Sequence, residues 1–194
     1  MNRKLLALSG ILLMTTITHV LHALEETDPA LAEITNFRQY SASFASAGQP
    51  TREQFQAVAD NGFERVVYIA FTNNPNALPD ADLVVKGLGM EYTQIPVDFN
   101  NPRPSEYYAF ADAMVRNEGR KTLLHCQVNY RATAFSFLHR VLNENIPVAE
   151  AKADMNSVWQ PNETWRDFIF EVLNQNGIDP NCESCDWTPS QPGQ

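Results

Sequence analysis

Cys126 and Arg131 are the residues of this chain best suited to chemistry, and they stand close together in the run from Lys121 to Phe135. Leu123 and Leu124 read as a short apolar strand leading into His125 and Cys126; after a tight loop, Arg131 opens an apolar helix. A thiol at the end of a strand and facing a helix N-terminus meets converging backbone N–H groups. The helix dipole there favours negative charge, so a thiolate or a bound oxyanion is stabilised. The planar guanidinium of Arg131 adds a fork suited to tetrahedral oxyanions. Taken alone, Cys126 would read as an ordinary buried cysteine. With His125 before it and Arg131 after it, at a strand-to-helix junction, the pattern points to a reactive thiolate.

The elements that must hold this loop are visible along the chain. A short helix is expected over Pro29 to Ile34 and an edge strand around Phe44 to Ala47, followed by a turn at Gly48-Gln49-Pro50. Thr51 then caps a helix with Gln54 as its capping-box partner, Phe55, Val58 and Ala59 as its apolar stripe, and Asn61-Gly62 as its stop. Val66 to Ala70 is a continuous β-branched, apolar run, suited to a strand buried on both faces. A helix over Asp80 to Leu88 and a strand over Tyr92 to Val97 come next. The prolines of Asp98-Phe99-Asn100-Asn101-Pro102-Arg103-Pro104 keep that segment a loop. Ser105 is expected to cap a helix over Glu106 to Asn117, with Tyr108, Ala111, Met114 and Val115 facing inward. After the loop, a helix to Asn143 carries Phe135, Leu138 and Leu142 at core spacing. Pro147 to Val158 and Trp165 to Asn174 give two more helices. Strands alternating with helices predict an α/β fold, a mainly parallel central sheet flanked by helices.

The N-terminus reads as an export signal. Arg3 and Lys4 precede an apolar run from Leu5 to Val20, and Ala23 offers a small residue for cleavage, so residues 1–23 are expected to be a signal peptide. An uncleaved N-terminal membrane anchor is the alternative. The reading makes the protein periplasmic or secreted, with residues 24–179 as one domain and 180–194 as an exposed tail. The whole chain carries 23 acidic and 14 basic residues, and the leader contains two of the basic ones and none of the acidic. That balance argues against nucleic acid and anionic membrane surfaces as partners, and any phosphate must be held by a local pocket. A monomer without a cofactor or metal is expected. Of the three cysteines, Cys182 and Cys185 are close enough in sequence to close a small disulfide, which leaves Cys126 as the free thiol.

The strand, His-Cys, short loop and Arg resemble the signature loop of the dual-specificity-type protein tyrosine phosphatase superfamily. That superfamily usually has five residues between Cys and Arg. The four here, Gln127 to Tyr130, resemble its bacterial branch, the β-lactamase-hydrolase-like phosphatase domain family. The likeness runs from about Phe44 through Gly48-Gln49-Pro50 to Trp165. It implies a cysteine-based phosphatase fold and hydrolysis of a phosphate monoester through a phosphocysteine intermediate. Cys126 would be the nucleophile and Arg131 the oxyanion clamp. The backbone N–H groups of Gln127, Val128, Asn129, Tyr130, Arg131 and Ala132 would form the cradle. His125 would favour the thiolate through hydrogen bonds it organises around the loop, and Asp98 would protonate the leaving oxygen. The superfamily's hydroxyl falls on Ala132 counted from Arg131, or on Thr133 counted from Cys126. The loop has no glycine, and Asn129 is its residue best able to adopt positive φ.

Two other classes of function fit the same residues. A six-residue Cys-to-Arg loop also resembles that of rhodanese-type sulfurtransferases, which carry a persulfide and would not need Asp98. A pseudophosphatase would bind phosphate without turnover. Trp159 and Trp165 read as an aromatic lid on the core, and His139 as a surface or groove histidine. Tyr130 either shapes the pocket rim or packs beneath the loop.

Overall fold

The computed structural model describes residues 27–116 and 119–189. The expected signal peptide, its cut after Ala23, the helix end at Asn117 and the last residues of the tail lie outside these. Five strands form a single sheet in the order β1-β2-β5-β3-β4. These are β1 (Arg38–Ser41), β2 (Phe44–Ala47), β3 (Arg65–Tyr68), β4 (Glu91–Gln94) and β5 (Thr122–His125). β2, β5, β3 and β4 run parallel, and only β1 is antiparallel, paired to β2.

Side-chain alternation along the strands splits the core into two layers. Phe44, Val67 and Leu124 point to one face, which is covered by α4 (Pro104–Arg116), α5 (Tyr130–Asn143), α6 (Val148–Asn156) and α7 (Glu163–Gln175). Ala45, Val66 and Leu123 point to the other, under α1 (Pro29–Ala32), α2 (Arg52–Asp60) and α3 (Ala81–Gly87). All four residues of β2, β3 and β5 are buried. Each large aliphatic side chain so enclosed contributes about 1.5–3 kcal/mol, which makes the centre of the sheet a rigid platform.

Several helices begin as the sequence dictates. α2 opens on the expected capping box, with the Thr51 hydroxyl accepting from the Gln54 N–H and the Gln54 side chain returning to the Thr51 N–H at 2.9 Å. α4 departs from expectation. It begins at Pro104 rather than behind a Ser105 cap, and Glu106 reaches back to the Arg103 N–H at 2.8 Å. Its buried face is Tyr107, Phe110 and Ala113, whereas Tyr108 and Val115 of the predicted inner stripe are exposed. Phe44 to Ala47, expected as an edge strand, is the interior strand β2; the edge is β1, which was not expected because Arg38-Gln39-Tyr40-Ser41 is largely polar.

Beyond Pro180 the described part of the tail is exposed or half-buried, and it is tethered to the domain through Trp187. Trp187 sets its ring edge-on to Phe137 and Phe170, the Lys152 ammonium lies 4.6 Å above it, and its indole N–H donates to the Pro180 carbonyl. Within this fold-back Cys182 and Cys185 are joined by a disulfide, their Cα atoms 5.0 Å apart.

Candidate active site

In a parallel sheet the loops after the strands gather at one end, and a strand order that is not sequential opens a crevice there. Here the loops that follow β2, β3 and β5 converge at Cys126. The backbone continues the sheet briefly beyond β5: the Cys126 N–H donates to the Ala47 carbonyl at 3.3 Å, and Val128 forms an isolated bridge with Gly48. Gly48 is required by that approach. A Cβ at this position would lie 2.9 Å from the Gln127 carbonyl oxygen and 2.8 Å from the Thr35 Cβ. The loop then turns through Asn129 at φ 73° and enters α5 at Tyr130.

The start of α5 is open. Asn129 makes no side-chain capping bond there, and the first turn contains no acidic residue. The N–H groups of Tyr130, Arg131 and Ala132 lack intrahelical acceptors for the reason that applies to any first helical turn. Cys126, a free thiol, sits at this end with no solvent exposure.

Arg131 is 7% exposed, its guanidinium lies 5.2 Å from the centroid of the Phe99 ring, and among the described residues Nε has no hydrogen-bond partner. Among the described residues no carboxylate pairs with it. Burying a guanidinium without an anion is costly unless something else supplies the negative charge.

His125 is fully buried between aromatic rings, stacked on Tyr68 at 4.7 Å and edge-on to Phe55 at 5.8 Å. Burial pushes its pKa down to about 3, only partly offset by the nearby Cys126 backbone. Among the described residues neither ring nitrogen finds a hydrogen-bond partner. The expectation that His125 organises hydrogen bonds around the loop is therefore corrected. A neutral imidazole held by aromatic packing anchors the end of β5, and its contribution to the loop is steric.

Asp98 is half-buried and closes an Asx turn, with Oδ1 accepting the Asn100 N–H at 2.9 Å. Its loop is fixed beside the crevice by the next residue. The Phe99 carbonyl accepts from the Trp165 indole at 2.9 Å, and its ring packs on Trp159 and Trp165 as well as on Arg131. Asp98 makes no ion pair with Arg131. Thr133 is buried, and its hydroxyl meets the Tyr40 hydroxyl, which also bonds Ser46 at 2.8 Å. One hydrogen-bonding direction of Thr133 is thus committed to the β1–β2 edge.

Tyr130 stacks flat on Trp159, centroids 4.6 Å apart and planes within 2°. Trp159 therefore belongs to the wall of the site, whereas Trp165 is a fully buried core residue. On the opposite side of the loop, Gln127 and Val128 face an open cleft of about 560 Å³ that Thr35, Gln49 and Asn76 also line. Sequence reasoning missed Phe99, Tyr68 and Gly48 as parts of the site. Only Gly48, in its Gly-Gln-Pro turn, carried a signal. Among the described residues no group of three His, Cys, Asp or Glu side chains is placed to hold a metal.

A free thiol, a six-residue loop and an arginine at an uncapped helix start, set at the carboxyl end of a parallel sheet, define the cysteine-based phosphatase class. Comparison with solved structures agrees. A DUF442 protein from Shewanella putrefaciens CN-32, whose name carries phosphatase as an unproven activity, is 30% identical and superimposes with a TM-score of 0.70, over 75% of this chain and 96% of that one. Tk-PTP in its active form is 17% identical, with a TM-score of 0.59 over 72% of this chain and 97% of that one. The core catalytic domain of the PP-IP phosphatase SIW14 from S. cerevisiae is 15% identical, with a TM-score of 0.58 over 73% and 93%. The last two show the fold alone. The chain belongs to the DUF442 family of the cysteine-based phosphatase superfamily. No family model and no curated protein matched it.

Proposed function

We propose that the protein is an exported, cysteine-dependent phosphatase that hydrolyses a phosphate monoester through a phosphocysteine intermediate. The observation that carries this reading is Arg131: a buried guanidinium without an acidic partner among the described residues, at an uncapped helix start, on the same loop as a free thiol. A phosphoryl group supplies the missing negative charge and accepts the orphan N–H groups of Tyr130 to Ala132.

In the first step the Cys126 thiolate attacks phosphorus, the S–P bond forms and the ester P–O bond breaks. Asp98 gives its proton to the leaving oxygen. In the second step water attacks phosphorus, Asp98 takes a proton back and the S–P bond breaks, releasing inorganic phosphate and the thiolate. Arg131 and the loop N–H groups hold the equatorial oxygens throughout, and they act most strongly as charge develops in the transition state. Export rests on the Arg3-Lys4 and Leu5-to-Val20 pattern, and the disulfide in the tail supports it. The expected substrate is a phosphorylated small molecule or protein, and the working unit is a monomer.

The test is an assay of aryl phosphate beside thiosulfate with a cyanide acceptor. Cys126→Ser should abolish aryl phosphate hydrolysis while keeping inorganic phosphate binding, and thiosulfate should not turn over in either protein. Cys126-dependent turnover of thiosulfate but not of phosphate would transfer the site to sulfur chemistry. Phosphate binding without turnover of either would make it a pseudophosphatase. Asp98→Asn should slow alkyl phosphates far more than activated aryl phosphates, because only a poor leaving group needs the proton.

A further inference from the structure

The signature loop contains no glycine, yet Asn129 takes φ 73°, and a second asparagine with positive φ, Asn36 at 51°, lies directly against it. Asn36 belongs to the turn between α1 and β1, 93 positions earlier in the chain. The two asparagines hold each other. Asn36 Nδ2 donates to the Val128 carbonyl at 2.9 Å, and Asn129 Nδ2 donates to the Asn36 carbonyl at 2.6 Å. Each side chain thus fixes backbone at or beside the other's turn. The Asn36 turn is itself anchored, because Ile34 and Phe37 on either side are buried in the core layer under α1, α2 and α3 and the Thr35 carbonyl accepts the Gly48 N–H at 2.7 Å.

Three successive loop carbonyls are occupied by donors outside the loop. The Gln127 carbonyl accepts from the Gln49 N–H at 2.9 Å, the Val128 carbonyl from Asn36, and the Asn129 carbonyl from the Thr133 N–H at 2.8 Å. In a planar trans peptide the N–H points opposite to the C=O it is bonded to. Fixing these carbonyls outward turns the N–H groups of Val128, Asn129 and Tyr130 toward the inside of the loop, where an oxyanion would sit. Val128 is the middle of the three, and its carbonyl is held by a side chain rather than by backbone.

We infer that Asn36 is a positioning residue for the anion-binding loop, acting with Asn129 as a reciprocal clamp. The clamp does the work that glycine does in other tight anion nests: it stabilises a positive φ and aims the N–H groups. Asn36 touches neither the thiol nor a bound oxyanion. It acts by setting the Val128–Asn129 peptide, and the inference rests on reading this loop as an oxyanion cradle.

Asn36→Gly is the informative variant, since glycine keeps the positive φ and removes only the amide donor. Asn129→Gly does the same for the other half. In the Cys126→Ser background, inorganic phosphate should bind about tenfold more weakly to either variant, the upper end for one hydrogen bond. Amide hydrogen exchange at Gln127 to Tyr130 should speed up, while exchange in β2, β3 and β5 stays as in the parent. Because the two halves form one unit, the double variant should be no worse than the single ones. Unchanged phosphate affinity together with unchanged loop exchange overturns the inference, and additive losses in the double variant overturn the reciprocal clamp. A uniform rise in exchange across the sheet would reduce Asn36 to a general stabilising residue and so also overturns it. Hydrogen exchange needs no turnover and no phosphate. A protein inactive on aryl phosphates but with faster loop exchange in Asn36→Gly would therefore refute the phosphatase reading and keep the clamp.

Discussion

Two buried arginines mark opposite ends of the sheet. Arg65, at the start of β3, is 1% exposed and spends its donors inside the protein: Nε and Nη2 on the Thr122 hydroxyl at 3.1 and 2.9 Å, and Nη1 on the Ala113 carbonyl at 2.6 Å. Burial lowers its pKa, and Glu91 pulls the other way from beyond ion-pair distance. Arg131, at the end reached by the strand C-termini, has a ring beneath it and no carboxylate beside it. Among the described residues neither has a paired acid, so burial alone does not distinguish them. The difference lies in acceptors. Arg65 meets fixed ones and ties α4 to the sheet, whereas Arg131 is short of them and is available to an incoming oxyanion.

The sharpest way to break this comparison is to replace both arginines by methionine. Arg131→Met should lower turnover of an aryl phosphate by about 10²–10³-fold, as loss of an oxyanion donor does. Its melting temperature should hold or rise, because an unpaired buried charge has been removed. If Arg131→Met unfolds the protein, Arg131 is structural and the contrast collapses. Arg65→Met should do the reverse. The Thr122 hydroxyl loses both guanidinium donors, at about 1–3 kcal/mol, the Ala113 carbonyl loses the one that Arg65 supplies, and denaturant titration should show it while kcat of the folded fraction stays put.

A smaller effect concerns protons at the Arg65 end. His139 is buried there, edge-on to Phe44 and Phe110, and burial pushes its pKa from 6.5 down to about 4. It is neutral near neutrality, so its 3.7 Å approach to Glu144 is not an ion pair there. The unfolded chain binds a proton that the folded one refuses, so this contribution is intact above about 6.5 and is lost as pH falls toward about 4. Glu144, raised by burial, works in the opposite direction at the acid end. Melting temperature followed against pH should fall through this window, and His139→Gln should flatten it. His125, with a pKa near 3, should leave a residual slope in that variant. The smallest change is expected far from both arginines. Trp187→Ala should cost about 1–2 kcal/mol by undocking the tail. Replacing Cys182 and Cys185 with serine should cost less, because the loop they close is so short.

The sequence carried the central strand, the loop and the helix after it, because Leu123-Leu124 and the Phe135, Leu138 and Leu142 spacing mark β5 and α5 and because Cys126 and Arg131 are rare neighbours. Asn129 was legible as the positive-φ residue for want of any glycine nearby. The face of α4 was not. Tyr107-Tyr108, Phe110-Ala111 and Ala113-Met114 give two apolar stripes one residue apart, and only packing against α5 and α7 selects Tyr107, Phe110 and Ala113. His139, read as a surface or groove residue, lines a cleft with Arg65 and Glu144 but is itself buried, because α5 is enclosed on most of its sides, which periodicity does not reveal. His125 beside a cysteine suggested hydrogen bonding, but the rings that bury it, Tyr68 and Phe55, come from other elements. The parts of the site least visible in the chain were those brought by tertiary approach: Phe99 against Arg131, and Asn36 against Val128.

The sheet order also governs when the thiol becomes safe. β5 is the last strand in sequence but lies in the middle of the sheet, between β2 and β3. Its partners are therefore distant along the chain, and such pairings form late. Until β5 inserts, Cys126 is a third exposed thiol, and an oxidant can join it to Cys182 or Cys185 in competition with the shorter-range pairing of those two with each other. Insertion buries it and leaves only the tail pair to react. In an oxidising medium the yield of native protein is then a race between sheet closure and disulfide formation. Slowing the oxidant, rather than strengthening the disulfide, is what favours the correct product.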